Sequence, residues 1–183
     1  MAVHTKIVDP NGGGDYTSLS AWEAGQQTLY SSGDTAVADC RRTGSAFEST
    51  SFTIAGWTSG VNIRIIANSS YRHEGKWANQ QAGGNYVVMC SNTGSKKAAI
   101  TISQSTANNI LIQGIVFDAP GNWCIDKTSA APILTVEGCI LNGGGRAGTR
   151  GIYANSNSIF INNILHDIPE SYQQFPQASK TGI

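Results

Sequence analysis

The sequence has few charged residues and no excess of either sign. Only 13% of its 183 residues are Asp, Glu, Lys or Arg, and twelve basic side chains balance twelve acidic ones. A protein that binds nucleic acid carries a clustered basic face, and the pairs Arg41-Arg42 and Lys96-Lys97 are too short to form one. We therefore expect no nucleic acid among the partners.

Long apolar runs and an export signal are also lacking. No stretch of about 20 apolar residues, the length that a membrane-spanning helix needs, occurs in the sequence. Residues Met1 to Lys6 lead into no apolar segment of the kind that a secretory signal peptide contains. We expect synthesis in a cytoplasm, without export and without a membrane partner.

The cysteines do not have metal-site spacing. Cys40, Cys90, Cys124 and Cys139 form no close pairs, and a chain made in a reducing cytoplasm rarely forms disulfides. Cys139 falls at an apolar position of a repeated strand, where a small buried thiol fits. Free thiols are therefore favoured over a zinc site or a disulfide framework, and we predict no metal and no cofactor.

Three segments of the chain repeat one another, at residues 109–118, 133–142 and 158–167. In each, apolar residues alternate with polar ones on both sides of Gly114, Gly138 or Asn163. Alternation predicts a half-buried strand, and Gly and Asn accept the positive φ of a sharp corner. Aligning these corners gives offsets of 24 and then 25 residues. Such a period predicts a solenoid, because one unit cannot bury its own apolar face.

A third short apolar strand precedes each repeat, at residues 99–102, 123–125 and 151–153. Three strands per turn predict a triangular coil, and equivalent residues of successive coils then stack into columns inside the tube. We predict four inward columns: Ile110 with Leu134 and Ile159, Ile112 with Val136 and Ile161, Ile115 with Cys139 and Ile164, and Phe117 with Leu141 and His166.

The pattern Asn-Ile-x-Ile-x-Gly-Ile-x-Phe at residues 109–117 resembles the right-handed parallel β-helix of pectin-lyase-like proteins. The glycine-rich residues 12–19 look like the entry segment of that architecture, and residues 72–77 resemble a stretch of β-helix proteins of phage and environmental bacterial origin. The resemblance runs from about Gly12 onward. It implies an all-β fold: a right-handed single-stranded parallel β-helix, a solenoid with three strands per coil, and a short N-terminal capping helix.

We expect an N-terminal arm and capping helix in residues 1–34 and the β-helix in residues 35–183. Ser20 and Glu23 have the spacing of a capping box, which predicts a helix from about Thr17 to Leu29. The final residues, 181–183, would open another coil, so the β-helix is expected to continue or to be capped by a partner. Further strands are predicted at residues 35–40, 52–54, 61–66 and 86–89, with an irregular insertion at 68–85.

Polysaccharide-cleaving β-helices carry acidic groups on the outer face of one sheet. Hydrolysis needs two carboxylates about 5–10 Å apart, and the resemblance implies calcium-binding carboxylates and an Arg or Lys base for a lyase. No pair of acids recurs on successive coils of one strand, so we predict no catalytic, cofactor-binding or metal-binding residue. The candidates considered are Asp118, Asp126, Glu137, Asp167 and Glu170, with His166, Arg146 and Arg150 beside them.

Structural roles are favoured for these candidates. Asp and Asn side chains at strand ends cap backbone amides. Asp118, Asn142 and Asp167 align at equivalent strand ends, and we therefore predict that they form a structural ladder. Glu137 has the same kind of position beside Gln113 and Asn162. His166 stands at a strand end, where a satisfied structural histidine is the better interpretation.

Apolar residues are also predicted to point outward, which marks an interaction surface or a surface under the chain's own loops. Residues 169–180 are a candidate cover. β-Helix spikes pair such faces about a threefold axis, so the resemblance implies a homotrimer. The outward residues are Val116, Ile140 and Leu165 on one sheet and Leu111 and Phe160 on the next.

The sequence therefore predicts a structural virion protein, a phage head decoration protein, fibre or tail spike that acts as a rigid β-helical attachment module. Its expected partners are capsid or tail proteins and a host glycan. The alternative is a polysaccharide lyase or glycoside hydrolase of the same fold, and the enzyme question stays open with a non-enzymatic role favoured. An exported bacterial adhesin is disfavoured, because no export signal is seen.

Overall fold

Parallel strands make up most of the protein. The structure, a computed structural model, describes residues 1–75, 84–90, 98–145, 149–154 and 157–168. This part of the chain is predominantly β, with one α-helix, α1 (Leu19–Gln26), and a 3₁₀ turn (Ser69–Tyr71). The strands are β1 (Val3–Val8), β2 (Thr35–Cys40), β3 (Phe52–Ile54), β4 (Asn62–Ala67), β5 (Val87–Met89), β6 (Ala98–Ile102), β7 (Asn109–Gln113), β8 (Val116–Asp118), β9 (Trp123–Lys127), β10 (Ile133–Glu137), β11 (Ile140–Asn142), β12 (Arg150–Ala154), β13 (Ser158–Ile161) and β14 (Ile164–His166).

These strands form three sheets in which every strand pair is parallel. Sheet 1 has the order β1-β2-β4-β7-β10-β13, sheet 2 the order β5-β8-β11-β14, and sheet 3 the order β3-β6-β9-β12. From β4 onward the chain visits sheets 1, 2 and 3 in turn, and each strand pairs with the strand three elements later. This arrangement is compatible with the predicted parallel β-helix of three strands per coil.

The N-terminal helix differs in detail from its prediction. Its N-cap is Ser18, whose Oγ accepts a hydrogen bond from the Ala21 amide at 3.0 Å. Glu23 closes no capping box, because its Oε1 accepts from the Ala55 amide at 3.0 Å and the Trp57 indole at 3.2 Å. The helix ends at Gln26, three residues before the predicted Leu29. It packs against β1, β2 and β3.

The first two repeats stack as predicted. Ile110 pairs with Leu134, Ile112 with Val136 and Phe117 with Leu141, an offset of 24 residues in each case. All six side chains lie in the main core and are at most 1% exposed. The corners are Gly114 and Gly138, with φ of 69° and 56°, a left-handed conformation that glycine adopts readily.

The third repeat is stacked one residue away from the predicted register. Val136 pairs with Phe160 and not with Ile161, so its offset is also 24 residues. The corner is Asn162, with φ of 51°, and not Asn163. Asn163 lies one step further on, where its Oδ1 accepts from the Cys139 amide at 2.9 Å and its Nδ2 donates to the Val136 carbonyl at 2.8 Å.

This slip corrects the predicted third member of every column, since a shift of one residue turns each side chain to the opposite face. Phe160 and Leu165 pack against the main core. Ile159 and Ile161, predicted inside, are 51% and 39% exposed. The prediction that Phe160 and Leu165 point outward is therefore wrong, as is the inward position predicted for His166.

The outward residues Val116 and Ile140 are fully buried although they lie outside the main core. With Val87 they form a second apolar cluster, against which Phe47 packs. Ile164, and not Leu165, is in register with Ile140. The chain's own loops therefore cover this surface. This is one of the two predicted alternatives, the other being an exposed interaction surface. The predicted cover, residues 169–180, and the expected new coil at 181–183 lie outside the described residues.

All four cysteines are buried free thiols. Burial raises the pKa of Cys139 to about 12, so this thiol is protonated at neutral pH. Of the helices in the described ranges, none has the length and apolar character needed to cross a membrane.

Candidate functional site

Two of the candidates, Asp118 and His166, form a hydrogen-bonded ladder with Asn142 on sheet 2. Asn142 Nδ2 donates to Asp118 Oδ1 at 2.8 Å, and His166 Nδ1 lies 3.0 Å from Asn142 Oδ1. The predicted ladder therefore exists, with His166 in the place assigned to Asp167. Asp167 lies beside it, its Oδ2 3.3 Å from His166 Nδ1. These contacts give the strand-end side chains hydrogen-bonding partners, and the structural role of His166 stays a prediction.

Glu137 has the predicted ladder position beside Gln113, but its neighbour on the other side is Ile161 and not the predicted Asn162. Its Oε2 accepts a hydrogen bond from Gln113 Nε2 at 3.0 Å, between neighbouring strands of sheet 1. Arg146 and Glu170 lie outside the described residues.

The remaining two candidates, Asp126 and Arg150, come together on sheet 3 with two aromatic residues that the sequence did not single out. Arg150 is in register with Trp123, and Tyr153 with Asp126. The guanidinium carbon of Arg150 lies 5.0 Å from the ring centroid of Trp123 and 5.0 Å from that of Tyr153. The two rings are 5.4 Å apart and inclined at 36°. We call Trp123, Asp126, Arg150 and Tyr153 the aromatic cluster.

The aromatic cluster lies on the outer face of sheet 3 because the alternation of inward and outward side chains is interrupted in β9 and β12. In β9 the adjacent residues Cys124 and Ile125 are both fully buried in the main core, so Trp123 and Asp126, three positions apart, are both left partly exposed. In β12 Gly151 and Ile152 are buried in the same way. A Cβ atom on Gly151 would lie 2.8 Å from the side chains of both Leu165 and Ile168, which explains why glycine occupies this inward position.

The carboxyl group of Asp126 is incompletely satisfied. Its Oδ1 is buried and has no hydrogen-bond partner in the part of the chain that the structure describes. Burial raises the pKa of Asp126, and the positive charge of Arg150 opposes this rise. A buried carboxyl oxygen without a partner costs free energy, which a hydroxyl or amide donor that reached it would offset.

The cluster therefore offers an apolar aromatic surface beside a planar cation and a hydrogen-bonding carboxyl group. Sites for small molecules combine aromatic side chains with a few polar groups that fix orientation, and a sugar ring presents an apolar face and a rim of hydroxyls that suit both. Asp126 alone does not supply the two carboxylates of a glycosidase. Within the described ranges, no group of three or more His, Cys, Asp or Glu side chains could hold a metal ion.

Comparison with protein-family models, with curated proteins and with solved structures found no match for this chain.

Proposed function

We propose that the chain is a right-handed single-stranded parallel β-helix of the pectin-lyase-like kind and a structural protein of a phage particle. It would be a head decoration protein, a fibre or a tail spike, made in the host cytoplasm and bound to capsid or tail proteins. The observation that carries this proposal is the set of three parallel ladders, of which the longest joins six strands. Hydrogen bonds along every strand make such a body stiff, as a projecting attachment module requires.

The aromatic cluster is the proposed contact with a host glycan. Trp123 and Tyr153 would stack against the apolar face of a sugar ring, while Arg150 donates to hydroxyl oxygens. The carboxylate of Asp126, a partly exposed residue, would accept a hydrogen bond from a hydroxyl group. One acidic and one basic side chain balance each other here, so we propose a glycan without a high charge.

Replacing Trp123 with alanine is expected to weaken glycan binding about 30-fold, because an aromatic anchor of an interface contributes about 2 kcal/mol or more. The fluorescently labelled protein would be tested on an array of bacterial surface and capsular polysaccharides, and the affinity for each retained glycan measured by titration. Tyr71→Ala is the matched control, since Tyr71 is a partly exposed aromatic residue of the 3₁₀ turn. Equal affinities for W123A and the unmodified protein would contradict the proposed site.

A polysaccharide lyase or glycoside hydrolase is the alternative, and one observation favours it. A carboxyl group with a raised pKa, such as that of Asp126, suits a proton donor near neutral pH. Incubation with the retained glycans distinguishes the two functions. New reducing ends or unsaturated products would establish the enzyme, and unchanged polysaccharide supports the attachment module.

The proposed homotrimer would use the outer face of sheet 1. Ile133, Ile159 and Ile161 are 45%, 51% and 39% exposed there, and burying them between subunits would remove apolar surface from water. We expect a trimer in equilibrium sedimentation at micromolar concentration, and a shift toward monomer for Ile159→Ser. A monomer alone in the unmodified protein would refute this arrangement.

A further inference from the structure

A groove crosses three neighbouring strands, β4, β7 and β10, on the outer face of sheet 1. Its volume is about 370 Å³, which lies within the size range of small-molecule sites, roughly 300–1,000 Å³. The groove is separate from the aromatic cluster, which lies on sheet 3. The outward side chains that line it are Asn62, Arg64, Asn109, Leu111, Ile133 and Thr135.

The guanidinium group of Arg64 gives the groove its positive charge. Arg64 is exposed on β4, where it is in register with Val37 of β2 and Leu111 of β7. Neither neighbouring strand therefore places a carboxylate directly beside the guanidinium. A guanidinium group can hold a carboxylate through two parallel hydrogen bonds, so the charge and geometry of Arg64 suit a ligand that carries this group.

The acids on this face of the sheet are bonded elsewhere. Asp39 and Glu137 belong to the neighbouring row of outward side chains, the row that contains Gln113. Arg41 Nη2 lies 2.6 Å from Asp39 Oδ2, and Gln113 Nε2 donates to Glu137 Oε2 at 3.0 Å. Among the described residues that line the groove none is acidic, so a carboxylate that enters meets no like charge there.

A ladder of asparagine side chains supplies a second, neutral donor. Asn62 Nδ2 donates to the Asp34 carbonyl oxygen at 3.3 Å, and Asn109 Nδ2 donates to Asn62 Oδ1 at 2.9 Å. The next strand places Ile133 in register with Asn109, and its side chain cannot continue the ladder. The ladder therefore orients the Asn109 amide with one N–H of Nδ2, and the second N–H can donate to a ligand.

The remaining surface of the groove is largely apolar. Ile133 is 45% exposed and Leu111 is partly exposed, and a hydrocarbon group that covered them would remove apolar surface from water. A single guanidinium balances a single negative charge. The groove therefore matches a monoanion with an apolar body better than a phosphate group, which carries more charge.

We propose that this groove binds a small organic acid, whose carboxylate is held by Arg64 and Asn109 and whose apolar body lies on Leu111 and Ile133. The inference goes beyond the proposed function and does not rest on it, since the glycan contact lies on sheet 3. Of the three residues of the proposed trimer contact, only Ile133 also lines the groove.

Titration of the isotope-labelled protein with hexanoate at pH 7, followed by the chemical shifts of its backbone amides, tests the site. We expect saturable shifts in β4, β7 and β10. Hexanamide, which has the same length and no charge, is expected to bind about fivefold more weakly, because a partly exposed ion pair contributes up to about 1 kcal/mol. This comparison uses the unmodified protein alone and does not depend on the folding of a variant.

Arg64→Gln is expected to weaken hexanoate binding by the same factor of about five. Lys6→Gln is the matched control, since it removes one positive charge on β1, outside the groove, and we expect it to leave the affinity unchanged. Ile159→Ser, the variant expected to shift the trimer toward monomer, should also bind hexanoate with unchanged affinity.

Three results would each overturn the site. They are the absence of saturable shifts with hexanoate, equal affinities for hexanoate and hexanamide, and equal affinities of R64Q and the unmodified protein for hexanoate. A loss of binding in Ile159→Ser would contradict a groove that is complete within one chain. None of these outcomes bears on the glycan contact, which is tested separately with Trp123→Ala.

Discussion

Phe117→Ala is expected to lower the free energy of unfolding by about 3–5 kcal/mol, the usual cost of removing a phenyl ring from a packed core. Phe117 is fully buried in the main core, and it pairs with Val88 on one side and Leu141 on the other. Three neighbouring strands of sheet 2 therefore lose contacts at once, and their hydrogen bonds limit how far the surrounding side chains can collapse into the cavity.

Urea denaturation followed by circular dichroism measures this loss. Leu111→Ala is the control, because Leu111 lies on the outer face of sheet 1 and is only partly buried. We expect the control to cost about 1 kcal/mol or less. Equal losses in the two variants would mean that Phe117 does not stack between coils.

Phe160→Asp and Ile161→Asp are expected to differ strongly, although the two residues are adjacent. Phe160 pairs with Val136 and packs against the main core, so an aspartate there would put an unpaired charge beside apolar side chains. We expect Phe160→Asp to cost about 3 kcal/mol or more. Ile161 is 39% exposed, and aspartate there is expected to change stability by about 0.5 kcal/mol or less.

Thermal unfolding of the two variants decides between the two registers. The 25-residue offset suggested by the sequence puts Ile161 inside and Phe160 outside, and it predicts the reverse order of stability. A larger loss for Ile161→Asp than for Phe160→Asp would therefore contradict the register of β13.

The stacking of the first two repeats could be predicted from the sequence because Gly114 and Gly138 mark the same corner in each. The third repeat offers two adjacent asparagines, and both Asn162 and Asn163 suit a corner. The choice goes with two hydrogen bonds to the preceding repeat, in which Asn163 accepts from the Cys139 amide and donates to the Val136 carbonyl. No local pattern of residues reports such contacts between coils.

The aromatic cluster was missed for a related reason. The sequence predicts only a short apolar strand at residues 123–125, and it does not show that Cys124 and Ile125 are both buried while Trp123 is left partly exposed. The sequence does contain a signal for this cluster, which is a spacing of three residues that occurs twice. It separates Trp123 from Asp126 and Arg150 from Tyr153, and each pair encloses two small or apolar residues. Only the pairing of β9 with β12 shows that the two pairs lie side by side.

From the sequence, the burial of Val116 and Ile140 under other parts of the chain could be predicted only as one of two possibilities. The other was an exposed interaction surface. The outward direction of both residues follows from alternation with the inward Phe117 and Leu141. Phe47, which packs against this cluster, lies far earlier in the chain. Contacts of this kind depend on the folded coils, which a sequence pattern does not contain.

The stacking of one strand per coil along sheet 1 is the claim on which the account depends, and distances between spin labels test it most directly. Thr5 and Ile159 lie in one row of sheet 1, five strand steps apart, and Val37 and Ile159 are four steps apart. With the usual spacing between neighbouring strands we expect Cα separations of about 24 Å and about 19 Å. Cysteine labels at these positions and double electron–electron resonance should give two narrow distributions that differ by about 5 Å, since the four native thiols are buried and react slowly. Broad distributions, or equal distances for the two pairs, would contradict the stacked coils.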